Sequence, residues 1–109
     1  MLEGLFGSKS AEKILFYMYK FNKAYARKVA ENFGLTLYAV QKQMIKFEEL
    51  GIFVSFLEGK TRMFEWNPRY PFLEEIQALL KKAYQYIPED EKAHFFIKRT
   101  RPRKTGKPL

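Results

Sequence analysis

The chain has no cysteine and a single histidine, and these two scarcities remove most of the metal and thiol chemistry open to a small protein. Without cysteine there is no disulfide framework and no thiolate metal site, and the sequence suits a reducing cytoplasm, the expected location. His94 stands beside Phe95 and Phe96 in an expected helix, with no second histidine to complete a metal site, so it reads as structural. No glycine-rich phosphate loop is present. The acid pairs Glu48-Glu49 and Glu74-Glu75 are sequence neighbours on helices, so their side chains diverge rather than share acid–base work. No apolar run approaches the roughly 18–20 residues of a membrane-spanning helix, and no charged start followed by an apolar, cleavable leader is visible. The expectation is a soluble, intracellular protein that is not an enzyme, holds no metal or cofactor, and does not enter a membrane.

What the chain does have is enough apolar material for one core: 109 residues, 47% of them hydrophobic, stand above the size at which disulfides or metals become necessary. Its net charge of +8 points to nucleic acid, but the excess is unevenly placed. Residues 98–109 carry Lys98, Arg99, Arg101, Arg103, Lys104 and Lys107 and no acid, which leaves 14 basic against 12 acidic residues elsewhere. Such a basic, proline-containing tail has little to bury and is expected to be disordered alone; it serves either as a solubilising end or as a source of phosphate contacts.

Helical spacing begins after Gly7. Ser8 and Ser10 are candidate N-caps, and Ile14, Leu15, Met18 and Phe21 recur at three- and four-residue intervals, predicting a helix over 9–21 that Asn22 and Lys23 end. A second short helix follows in AYARKVAENFG, with Ala26, Val29, Ala30 and Phe33 on one face and Gly34 at its C-terminus. Thr36 can cap a third, whose inward stripe is Val40, Met44, Phe47 and Leu50, with Gly51 as the stop. Its other side reads Tyr38, Gln41, Lys42, Gln43, Lys46 and Glu49. From Ile52 the pattern turns strand-like: IFVSFL, a turn at Glu58-Gly59-Lys60-Thr61, then RMFEW. A two-residue turn at Gly59 and Lys60 sets Phe53 opposite Trp66 and Ser55 opposite Phe64 on a buried face. Val54, Phe56, Met63 and Glu65 then form an outer face, read either as a protein-binding surface or, preferably, as packed beneath the C-terminal helices.

After the turn segment Asn67 to Pro71, the residues Phe72, Leu73, Ile76, Leu79, Leu80, Ala83 and Ile87 form an apolar stripe on a further helix. This stripe is assigned to dimerisation, with Leu2, Leu5 and Phe6 as possible additions, although it could equally close over the chain's own core. Pro88 opens a last short helix. The expected fold is therefore mainly α with a small antiparallel β-hairpin, in the order α-α-α-β-β-α-α of a winged helix-turn-helix. The expected organisation is a DNA-binding unit over 1–70, C-terminal helices over 71–97 and a basic tail over 98–109.

The spacing of Ala30, Gly34 and Val40 matches the general helix-turn-helix pattern, and the hairpin that follows makes the match more specific. Together, LFGSKSAEKILFYMY, VAENFGLTLYAVQKQMIKFEELGI and EGKTRMFEWNPRYP resemble the winged-helix regulators of the arsenical-resistance-repressor (ArsR-like) class. The similarity is greatest to the subgroup found fused or adjacent to nucleotidyltransferase domains, and it covers about residues 2–73. The resemblance implies a winged-helix fold, a homodimer, and double-stranded DNA held by the third helix and the wing. Carried over, the recognition positions fall on Thr36, Tyr38, Ala39, Gln41 and Lys42, with Lys46 nearer the DNA backbone. The chemistry agrees for several: Gln41 can present its amide to adenine, Lys42 can donate to guanine, and Thr36 and Tyr38 can reach phosphates. The wing departs from the family in having only Lys60 and Arg62 about its tip, with Phe56 and Leu57 before it. The expected function is transcription regulation by sequence-specific DNA binding. Alternatives are a module that binds a protein through the wing, and nonspecific nucleic-acid binding through the tail.

Overall fold

The computed structural model describes residues 1–92. The continuation of the helix expected after Pro88, His94 with its phenylalanine neighbours, and the tail cations Lys98, Arg99, Arg101, Arg103, Lys104 and Lys107 lie outside the described residues.

Capping residues set the helix boundaries much as the sequence suggests. After a one-turn helix α1 (Glu3–Phe6), the Ser8 hydroxyl accepts the Ala11 N–H at 3.0 Å and opens α2 (Lys9–Phe21), which Asn22 ends in a left-handed conformation at φ 65°. A two-residue strand β1 (Lys23–Ala24) leads into α3 (Ala26–Phe33). Gly34, at φ 67° and ψ 33°, turns the chain, while Leu35 N–H returns to the Ala30 carbonyl at 2.9 Å. Thr36 then caps α4 (Leu37–Glu49), its Oγ1 accepting the Ala39 N–H at 3.2 Å. The hairpin β2 (Phe53–Glu58) and β3 (Thr61–Trp66) follows, and α5 (Leu73–Gln85) closes the fold. The architecture is mainly helical with a small antiparallel sheet, as expected, except that the sheet has three strands in the order β1-β3-β2.

Register in the hairpin is as the sequence predicts: Phe53 faces Trp66 and Ser55 faces Phe64, and the three aromatic members of that face are buried. Phe53 meets the Trp66 ring edge-on at 5.5 Å and the Phe47 ring at 5.3 Å, which joins the sheet to α4. The Trp66 indole N–H donates to the Met18 carbonyl at 3.1 Å, anchoring the sheet to the end of α2. One core thus draws on every layer, with Ile14, Leu15, Met18, Val29, Val40 and Met44 at its centre.

Three expectations are corrected. Leu50 does not belong to the inward stripe of α4 and is 59% exposed. The helix ends at Glu49, Gly51 takes φ 85°, and Ile52 N–H bonds back to the Phe47 carbonyl at 2.9 Å, so Ile52 is the residue that enters the core. The outer face of the hairpin is not packed beneath the C-terminal helix: Phe56 is 40% exposed and Val54 is exposed as well. Instead Lys23, brought alongside by β1, holds its ammonium 5.5 Å from the Phe56 ring and 3.1 Å from Glu58. Finally, Leu80, Ala83 and Ile87 of the stripe assigned to dimerisation are buried in the chain's own core, where α5 lies on α2 and Tyr84 meets Phe16 and Tyr19. Leu73 and Ile76 are half-buried against that core, which leaves Phe72 and Leu79 exposed. Residues 73–87 therefore share a core with residues 1–70. Among the described residues, no helix is long and apolar enough to cross a membrane.

Candidate nucleic-acid interface

The buried side of α4 is fixed by Val40, Met44 and Phe47, so the opposite side must face outward. That side presents Tyr38, Gln41, Lys42, Lys46 and the carboxylate of Glu49, all exposed, with Ala39 half-buried at its margin. The Lys42 ammonium lies 6.0 Å from the Tyr38 ring centroid, one turn back along the helix. Thr36 is exposed too, and because its oxygen accepts the capping hydrogen bond, its hydroxyl proton stays available for a phosphate oxygen.

Beside this face runs an open groove of about 570 Å³, bounded by the start of α3, the exposed side of α4 and the hairpin tip. Gln41, Lys60 and Arg62 all line it, so the structure brings the predicted helix and hairpin residues to one depression. It adds Arg27, an exposed cation on α3 that the sequence reading passed over. The signal was present: in AYARKVAENFG, Arg27 lies off the face formed by Ala26, Val29, Ala30 and Phe33. Its relevance depended on where α3 points relative to the hairpin.

Arg62 is held differently from Lys60. Its guanidinium forms an ion pair with Glu48 of α4, and its Nε donates to the Ser55 hydroxyl at 3.1 Å, while Ser55 in turn donates to Glu48 at 2.7 Å. The guanidinium carbon also lies 5.2 Å from the Phe64 ring centroid. This cluster clamps the end of α4 to both hairpin strands, and it directs the Arg62 charge toward Glu48 rather than outward. Lys60, at the turn itself, enters no ion pair among the described residues. Its neighbour Gly59 takes φ 66° at the first central position of the turn, where a side chain is disfavoured.

A larger cavity of about 710 Å³ lies elsewhere, between α2, the end of α3 and Ile87, and none of the residues predicted to contact DNA lines it. Among the described residues, no group of three or more histidine, aspartate or glutamate side chains is placed to hold a metal ion. No protein-family model, no curated protein and no solved structure matches the chain.

Proposed function

We propose that this chain is a DNA-binding transcriptional regulator with a winged helix-turn-helix, in which α4 enters the major groove and the β2–β3 hairpin serves as the wing. The observation that carries the reading is the outward side of α4, where an amide, two ammonium groups and a phenol outnumber the single Glu49 carboxylate on one exposed helix face, beside a groove that also holds Arg27 and Lys60. An α-helix fits the major groove, and side chains of these types have the donors and acceptors that base edges and phosphates require. The resemblance to arsenical-resistance-repressor regulators supports the same assignment. In this reading the protein acts in the cytoplasm as a homodimer, joined through the exposed Phe72 and Leu79, and its two α4 helices meet half-sites about 34 Å apart. The cations of residues 98–109 then add contacts to phosphate that carry no sequence information.

The test is selection from a genomic DNA pool at near-physiological salt with the wild type and with Gln41→Ala/Lys42→Ala. The wild type should enrich a defined motif that the double variant does not. Equal enrichment of the same sequences by both proteins would remove α4 from the recognition role.

One observation favours a second reading. Val54, Phe56 and Leu57 are exposed around the outer side and tip of the hairpin, as a protein-binding wing would require. In that case a partner protein would be captured in a manner that depends on Phe56 and Leu57, and salt-sensitive DNA binding would be absent.

A further inference from the structure

One residue on the outward side of α4 does not match its neighbours. Ile45 is 37% exposed and does not belong to the apolar core or to the partly buried residues packed on it. At roughly 100° per residue, it points about 130° away from the mean direction of Val40, Met44 and Phe47. It lies within about 20° of Tyr38, with Gln41 on one flank and Lys42 on the other. It also borders both depressions beside the helix, the one holding Arg27 and Lys60 and a second one lined by Lys42, Lys46 and Glu49. An apolar side chain is therefore centred in a face that is otherwise polar.

We propose that Ile45 is a specificity-determining residue that contacts the 5-methyl group of a thymine close to the base read by Gln41. This rests on the assignment of α4 as the helix in the major groove. Thymine is the one standard base that presents a methyl group there, so an apolar side chain at the centre of the interface distinguishes it from cytosine and from either purine. Isoleucine suits the task because its β-branch restricts χ1 in a helix almost to a single rotamer, so little side-chain freedom is lost on contact. The rise from Gln41 to Ile45 is about 6 Å, which places the thymine within about two base steps of the Gln41 contact. Solvation of this face by water alone would give the isoleucine no role, and base hydrogen bonding would leave it facing a polar edge.

The experiment uses the motif enriched by the full-length wild type, synthesised with deoxyuridine in place of each thymine in turn, which deletes only the methyl group. At one position the wild type should bind about three- to five-fold more weakly, the loss expected for one buried methyl group. Ile45→Ala should bind the thymine and deoxyuridine duplexes equally, whereas Gln41→Ala should keep the discrimination. Because Ile45 lies outside the core, Ile45→Ala should retain the wild-type circular dichroism spectrum and melting temperature to within a few degrees. The inference is overturned if no deoxyuridine position weakens the wild type, or if Ile45→Ala keeps the same sensitivity. Those results leave the α4 assignment standing so long as the motif still depends on Gln41 and Lys42. Failure to enrich any motif overturns both.

Discussion

Replacing Gly34 with alanine tests the turn that aims α4, and its cost can be worked out in advance. Gly34 sits at φ 67° and ψ 33°, and a Cβ built there meets nothing within 4 Å, so no steric clash contributes. What remains is the left-handed backbone itself, roughly 1–2 kcal/mol for an L-residue, offset by about 0.4–1 kcal/mol because alanine restricts the unfolded chain. The net loss should be about 1 kcal/mol, which for a domain of this size lowers the melting temperature by about 4–8 °C. Gly34→Asn should lose less than half as much, since asparagine tolerates this conformation and Asn22 already adopts it at the end of α2. Gly4→Ala supplies the control: that glycine lies in α1 without a positive φ and with open space about its Cα, so alanine should be neutral or slightly stabilising. Thermal melts followed by circular dichroism would measure all three. If Gly34→Ala is as stable as the wild type, or if asparagine is no better than alanine, the turn geometry described here is wrong.

Glu48→Gln should release Arg62 toward the groove at a stability cost below about 1 kcal/mol, and the plot of log affinity against log salt should steepen by about 0.9, the increment for one added phosphate contact. Glu49→Gln, which removes the same charge without touching Arg62, should leave that slope nearer the wild type. Leu80→Ala should destabilise the fold by about 2–5 kcal/mol in denaturant titrations, because Leu80 is fully buried, whereas Phe72→Lys/Leu79→Lys should leave a folded protein but shift its solution mass in sedimentation equilibrium from dimer to monomer.

Local chemistry explains which features were legible in the sequence. Ser8 and Thr36 mark their helix starts because a side-chain oxygen one position before a helix satisfies an exposed N–H, and Gly34 and Gly51 mark the ends because they accept a positive φ. Alternation in Phe53, Ser55, Phe64 and Trp66, with a glycine at the turn, was enough to fix the hairpin register. Features set by distant contacts were not legible. Strand β1 is two residues long and exists because Lys23 and Ala24 meet Glu65 and Phe64, some 40 positions later in the chain. The link from Glu48 to Arg62 spans 14 positions and depends on the angle between α4 and the hairpin. The α5 stripe gave no means of telling a partner's surface from the chain's own, and Leu80, Ala83 and Ile87 turned to the latter. Ile45 was passed over because periodicity sorts residues into inward apolar and outward polar sets, and it fits neither.

In the proposed reading, α4 and the hairpin tip form the surface that meets DNA. Titrating isotopically labelled protein with the enriched duplex and following backbone amide shifts by NMR would locate that surface residue by residue. The largest shifts should fall over Thr36 to Lys46, at Arg27 and over Gly59 to Arg62, with Val54 and Phe56 little changed. Shifts confined to Val54–Leu57 and α5, or none at all, would contradict it.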